Sequence, residues 1–322
     1  MSNKYKVSSH ILNFPENSYL PTLYGFQDQN LKILEKELQV EISYRGNFIE
    51  IFGSYDSFLI AKKILNILYV RINEGEDITL ADVDGEIKMY QNLENKSVNI
   101  SKKNKSIQTP RRKIFARSPN QEDYFDLLEN KDLVFALGPA GTGKTYIAVA
   151  IAVSSLLKGE VGKIILSRPA VEAGERLGFL PGDLKDKVDP YLRPLYDALY
   201  DMLPDENVFK RLDNGQIEIA PLAFMRGRTL SNAFIIIDEA QNTTPMQMKM
   251  LLTRFGENSR MVITGDLSQV DLGIGQVSGL QEASKILKDI EGIGFLNFTN
   301  KDVVRNRLVS KMVEAYENYE KK

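Results

Sequence analysis

In the run Leu133-Val134-Phe135-Ala136-Leu137-Gly138-Pro139-Ala140-Gly141-Thr142-Gly143-Lys144-Thr145-Tyr146-Ile147-Ala148, five apolar residues read as a buried strand, and an apolar helix starts at Lys144. The eight residues Gly138–Thr145 fit G-x-x-x-x-G-K-[ST], and the strand-loop-helix context gives that motif its meaning. Gly138, Gly141 and Gly143 allow the backbone to turn successive N–H groups toward one point. Pro139, Ala140 and Thr142 complete the loop, and the helix behind it adds the positive end of its dipole. Such a nest holds a polyphosphate. Lys144 supplies a cation for the outer phosphates, and Thr145 offers a hydroxyl to Mg²⁺.

Working outward, Phe234-Ile235-Ile236-Ile237 is a second apolar strand and ends in Asp238-Glu239-Ala240-Gln241. Carboxylates at the C-terminal edge of a parallel strand lie where ligands gather in an open α/β sheet. Asp238 is expected to hold the magnesium through its water shell, and Glu239 to orient or deprotonate an attacking water. A third strand, Met261-Val262-Ile263-Thr264, brings Gly265-Asp266-Leu267-Ser268-Gln269 to the same edge. The Gln269 amide is placed to sense a terminal phosphate and to report its loss to Asp266 and Asp271. This pair of motifs resembles the second and third motifs of superfamily-1 helicases. In that group a glutamine upstream of the P-loop reads adenine; Gln121, 17 positions before Gly138, is the candidate here. With no Asn-Lys-x-Asp motif for guanine, ATP is the expected nucleotide.

Ile164-Ile165-Leu166, Ile217-Glu218-Ile219-Ala220 and Ile293-Gly294-Phe295-Leu296-Asn297-Phe298 supply further strands between helical segments, the pattern of a doubly wound, mainly parallel sheet over residues 121–322. Residues 1–80 read as a small α+β domain: a helix over 30–38, a hairpin of Val40–Tyr44 and Phe48–Phe52 turning at Arg45-Gly46-Asn47, and a second helix through Ala61, Leu65 and Leu68. The order, with Tyr24-Gly25-Phe26-Gln27 leading into the first helix, is similar to the KH-type RNA-binding module, but the second glycine of the GXXG loop is missing. A role in assembly is an equal alternative. Residues 81–120 are expected to be a basic linker, because Lys96, Lys102, Lys103, Lys105, Arg111, Arg112, Lys113 and Arg117 follow one another with no acid between them. Such a run is either a solvated tether or a strand that touches RNA or a neighbouring subunit.

The 322 residues contain no cysteine and one histidine, which excludes disulfides, thiolate catalysis, Cys-based zinc sites and a His-centred triad. His10 is expected to be a surface residue. A net charge of −2 gives no global attraction to nucleic acid. No long apolar run or signal-peptide core is present, so a cytoplasmic protein without membrane attachment is expected.

The segment from Ser167-Arg168-Pro169-Ala170-Val171-Glu172-Ala173-Gly174-Glu175-Arg176 through Pro190-Tyr191-Leu192-Arg193-Pro194, together with Ile219–Leu230, Asp238–Thr244, Gln247–Met250 and Asp302-Val303-Val304-Arg305, resembles the PhoH family of bacterial ATPases. The resemblance covers residues 105–320. It implies a RecA-like P-loop NTPase core without a second such core in the chain, and hence a homo-oligomeric ring, expected to be a hexamer. It also implies a link to RNA, and to a metal-dependent endoribonuclease of rRNA maturation. An ATP-gated binding module with slow turnover is the alternative to an ATPase. Where the family commonly has Val-Val-Arg-His-Pro-Leu-Val, this chain has Val303-Val304-Arg305-Asn306-Arg307-Leu308-Val309, and Arg112 stands where glycine is usual. Arg305 survives as a candidate for the γ-phosphate; Arg168, Arg176, Arg226 and Arg228 are further arginine-finger candidates. Residues 172–197, rich in Gly, Pro and charge, are expected to be a functional loop or hairpin.

Overall fold

The computed structural model describes residues 8–93, 105–169, 184–273 and 275–304, with positions 309, 312, 315 and 319 besides. They fall into two compact units, one of residues 8–93, Ala116–Pro119 and the described positions from Val304 on, the other of residues 105–115 and Asn120–Val303.

The N-terminal unit runs β1 (Ser8–Asn13), α1 (Leu20–Tyr24), α2 (Gln29–Leu38), β2 (Glu41–Arg45), β3 (Phe48–Gly53), α3 (Tyr55–Asn73) and α4 (Leu80–Leu93). Its three strands are antiparallel in the order β1-β3-β2. The expected hairpin is present, with Arg45 opposite Phe48 across a two-residue turn that opens at Gly46, φ 60°. Ser54 caps α3 by accepting from the Ser57 N–H at 3.1 Å. Ile49 and Ile51 project from the sheet into a core shared with Leu34, Ile64, Leu65 and Leu68, all fully buried. His10 lies on this sheet with its ring stacked 4.0 Å from that of Phe58, so it is packed rather than free on the surface.

Residues 81–120 do not form one linker. The first part is α4, whose Val83 and Ile87 are buried in the N-terminal core at helical spacing. Polar composition concealed this helix because its acids serve the interior. Asp82 meets Arg71 and Arg117, each at 3.0 Å, and Glu86 also faces Arg71, at 3.7 Å. The last part forms a small hairpin of β4 (Ser106–Gln108) and β5 (Lys113–Phe115), and its turn fastens onto a helix of the second unit. Arg111 donates to the Tyr200 and Met202 carbonyls and pairs with Asp205, while Arg112 faces Asp201. Lys105 pairs with Asp126, and Lys113 lies over the Phe115 ring. Lys96, Lys102 and Lys103 lie outside the described residues.

The second unit continues with α5 (Pro119–Asn130), β6 (Leu133–Leu137), α6 (Lys144–Leu157), β7 (Lys163–Arg168), α7 (Leu184–Met202), α8 (Asp205–Asp213), β8 (Ile217–Pro221), β9 (Ala233–Ile237), α9 (Pro245–Leu252), β10 (Arg260–Gly265), α10 (Gly279–Ile286) and β11 (Ile293–Asn297). All six strands from β6 onward pair in parallel, in the order β11-β6-β10-β9-β7-β8. This is the expected RecA-like α/β fold. Alternation along the strands feeds two cores: Phe135, Ile165, Ile235, Ile237 and Ile263 pack with Met248, Leu251 and Leu280 of α9 and α10. Val134, Ala136, Ile164, Phe234 and Ile236, equally buried, point the other way. Burial on both faces explains why these strands read as continuous apolar runs.

Residues 172–197 were expected to be a loop or hairpin; residues 184–197 instead belong to α7. Leu192, Leu195, Leu199 and Met202 recur at helical spacing and are buried, and this apolar stripe outweighs Pro190 and Pro194, which argued against a helix. Residues 170–183 lie outside the described set. Among the described residues no helix is long and apolar enough to cross a membrane.

Candidate nucleotide site

The sheet order brings the three motif loops together. β10 lies between β6 and β9, so the P-loop, the Asp238-Glu239 turn and the Asp266–Gln269 loop leave adjacent strands at the same edge. They enclose a cavity of about 570 Å³, lined by Gly141, Lys144, Thr145, Arg168, Asp238, Glu239, Asp266 and Gln269, with Pro194 and Asp197 of α7 on a further side. Its size suits a small-molecule ligand.

The P-loop takes the conformation its glycines permit. Gly138 has φ 134°, and a Cβ there would collide with the Phe298 carbonyl oxygen, so no other residue fits. Gly143, φ 82°, leads directly into α6. Lys144 donates to the Gly138 carbonyl at 2.7 Å and the Pro139 carbonyl at 2.8 Å, which draws its ammonium over the loop. Burial pushes the Lys144 pKa down, and the nearby Asp266, Asp238 and Glu239 carboxylates offset part of that shift.

Thr145 and Asp238, the two residues expected to serve magnesium, are in contact: the hydroxyl donates to Asp238 Oδ1 at 2.5 Å. Thr264 of β10 donates to the same oxygen at 2.7 Å and lies 3.3 Å from the Thr145 hydroxyl. Among the described residues no cluster of three or more His, Cys, Asp or Glu side chains surrounds a point where a metal could sit. A hydroxyl and one carboxylate beside a phosphate nest fit magnesium, which keeps waters and takes phosphate oxygens rather than a protein cage. Asp266 strengthens the fit. It is 7% exposed, its Oδ1 accepts from the N–H and hydroxyl of Ser268, and its Oδ2 is buried with no partner among the described residues.

Glu239 stands on a left-handed backbone, φ 53°, so its side chain leaves the strand axis and reaches the cavity wall. Its Oε1 faces Arg168 Nη2 at 3.4 Å, and its Oε2 accepts from Gln241 Nε2 at 2.5 Å. Sequence reasoning gave Gln241 no role, and the structure gives it a central one. At 1% exposure its amide also donates to the Gln269 carbonyl at 3.2 Å and accepts from the Asp266 N–H at 3.1 Å. Gln241 thereby ties the acidic turn to the third loop. The only available signal was its place two residues after Glu239. Gln269 lines the cavity with an exposed side chain.

Gln121 is not among the residues that line the cavity. It is 4% exposed on α5 and donates to the Thr142 carbonyl at 2.9 Å, under the P-loop and away from the cavity wall. Tyr124, one turn along, donates to the Lys144 carbonyl at 3.2 Å. Of the arginine-finger candidates, Arg168 lines the cavity, Arg228 is engaged bidentately by Glu218 at 2.5 and 2.7 Å, and Arg226 is exposed away from the cavity. Arg176 and Arg305 lie outside the described residues.

Comparison with known proteins agrees with this geometry. Residues 113–317 match the family described as PhoH-like protein. The PhoH-like protein of Bacillus subtilis is 50% identical over 304 residues, covering 92% of this chain and 93% of that one. The protein PhoH of Escherichia coli is 45% identical over 205 residues, covering 63% of this chain and 58% of that one. Among solved structures, a Sulfolobus solfataricus SWI2/SNF2 ATPase core in complex with dsDNA aligns at 15% identity and TM-score 0.34, over 56% of this chain and 43% of that one, a likeness too slight to bear on function. The P-loop, the carboxylate pair and the family match over most of the chain agree: this is a P-loop NTPase that belongs to the PhoH-like protein family.

Proposed function

We propose that this protein hydrolyses ATP with magnesium and couples the turnover to RNA handling. The observation that carries the reading is the Thr145 hydroxyl seated on Asp238 in the same cavity as Lys144 and Glu239. Magnesium, held by Thr145 and Asp238, would neutralise charge on the outer phosphates. The N–H groups of Gly141 to Lys144 hold the phosphate chain, and Lys144 leaves the carbonyls of its own loop for the β and γ oxygens. Glu239 orients a water for in-line attack and takes its proton. Gln269, on the same wall, hydrogen-bonds the γ-phosphate or that water. The choice of ATP over GTP rests on the missing guanine-reading motif, not on Gln121.

The coupling to RNA, the assembly into a hexameric ring and a working relation with an rRNA-maturation endoribonuclease rest on the family resemblance. The N-terminal unit adds support for RNA. Its order β1-α1-α2-β2-β3-α3 is that of a KH-type module, and the Gly25-Phe26-Gln27-Asp28 turn has three residues at positive φ with Phe26 exposed. The described cations of the basic run give none, since each has a partner within the chain. Phosphate release is measured with and without single-stranded RNA, with Lys144→Ala as control. Hydrolysis above the control, stimulated by RNA, is expected. Release no faster than the control overturns the ATPase, and an RNA-independent rate overturns the coupling.

A further inference from the structure

We propose that Arg168 is a positioning residue for Glu239, holding that carboxylate toward the attacking water from within the same chain; the proposal rests on the ATPase reading above. Arg168 is the last residue of β7, and Glu239 lies two residues past the end of the neighbouring parallel strand β9. β7 and β9 pair with Ser167 opposite Ile237, and the Asp238 N–H continues the ladder to the Ser167 carbonyl at 2.9 Å. The sheet therefore fixes the separation of the Arg168 and Glu239 backbones. Across it, Arg168 Nη2 faces Glu239 Oε1 at 3.4 Å, while Nη1 of the same guanidinium donates to the Tyr191 carbonyl of α7 at 3.2 Å.

That double attachment is what a planar fork supplies and a single ammonium does not. One nitrogen is anchored to a helix backbone, and the other reaches the carboxylate. Glu239 needs such a partner because its own backbone is left-handed and its side chain is a third exposed, so no packed wall fixes its rotamer. Its other oxygen is held by Gln241, and the two contacts together leave one orientation toward the cavity. Arg168 lines the same cavity, so an arriving phosphate brings a second negative charge to a guanidinium already shared with Glu239. Phosphate and carboxylate are thereby linked through one cation.

The other described arginine-finger candidates lack this geometry. Arg228 is engaged by Glu218 outside the cavity, and Arg226 does not reach it.

The test is steady-state ATP hydrolysis by the full chain for wild type, Arg168→Ala, Arg168→Lys, Glu239→Gln and the double variant Arg168→Ala/Glu239→Gln. Melting temperature and fluorescent-ATP binding are measured on the same samples. A residue acting through Glu239 lowers kcat, by roughly 10–100-fold in Arg168→Ala, with KM changed by less than about threefold. Arg168→Lys recovers only part of the rate. The double variant is no slower than Glu239→Gln alone, because the residue that Arg168 positions is already gone. Multiplicative losses in the double variant, or a raised KM with unchanged kcat, overturn the proposal. If Arg168→Ala melts below the assay temperature, Arg168→Lys and its own double with Glu239→Gln carry the same test. A wild type no faster than Lys144→Ala overturns the ATPase reading first, and this proposal with it; that failure is read from the wild type before any Arg168 variant is assayed.

Discussion

The Thr145 hydroxyl and Asp238 Oδ1, 93 positions apart in sequence, lie 2.5 Å from each other. Thr264 reaches the same oxygen from β10, so the start of α6 and the end of β10 meet on the carboxylate that follows β9. Asp238→Asn keeps the shape but removes the charge and replaces one carboxylate oxygen by an NH2 donor. Phosphate release is expected to fall by at least about 100-fold, and the magnesium concentration for half-maximal rate to rise. A metal titration of both proteins checks this; an unchanged magnesium dependence would assign the metal to another residue. Chelation of the metal is expected to abolish wild-type turnover while leaving the fold intact.

Gln121 beneath the loop gives a separate prediction. Its amide supports the Thr142 carbonyl, and a Cβ at Gly143 would lie only 3.2 Å from its Nε2. Gln121→Ala is expected to weaken ATP and GTP binding by the same factor, because the loop that holds the phosphates loses its support. A loss confined to ATP, in competition binding with both nucleotides, would restore an adenine-reading role.

The sheet and P-loop were legible because both are local. Strands buried on two faces read as apolar runs, and the phosphate motif needs contiguous residues. Asp238 and Glu239 were legible because each follows such a run. What stayed hidden depends on contacts between distant segments. Nothing near Gln121 in sequence shows that Thr142 will take its amide. Gln241 acquires its role only once β10 lies beside β9. The helix α4 escaped notice because Asp82 and Glu86 made it look solvated, when their partner Arg71 lies a helix away and is itself buried. In α7 two prolines masked an apolar stripe that only its fit against the sheet makes decisive.

Gln241 joins Glu239, Asp266 and Gln269 through a single buried amide. Gln241→Leu fills the space yet leaves the Asp266 N–H and the Gln269 carbonyl without their partner, at about 1–3 kcal/mol for a buried group so stranded. The expected result is a lower melting temperature and a kcat reduced further than that stability loss explains, since the third loop is cut from the acidic turn. Thermal melts and kcat at a temperature where both proteins are folded separate the two effects. A variant with lowered stability and wild-type kcat would reduce Gln241 to a structural residue.

Asp82 supplies the last prediction, on the N-terminal unit. Burial pushes its carboxyl pKa up, but Arg117, the Thr79 hydroxyl and N–H, and Arg71 together outweigh burial and hold it below its ordinary value of 3.8. A carboxyl whose pKa is lower folded than unfolded stabilises the fold in its ionised form. The contribution is full above the unfolded pKa, near 4, and is lost as pH falls through the lower folded value. Stability should therefore hold from neutrality down to about pH 5 and then decline, with the Asp82 contribution gone once the carboxyl is protonated in both states. Asp82→Ala takes one of three carboxylates from Arg71, which keeps Glu76 and Glu86, so the cost at pH 7 should be on the order of 1–3 kcal/mol, below that of leaving a buried charge with no partner. Below the folded pKa wild type and variant should converge. Urea unfolding followed by tyrosine fluorescence at pH 7, 5 and 3 measures that gap; a gap as large at pH 3 as at pH 7 would show that Asp82 acts by packing and not by charge.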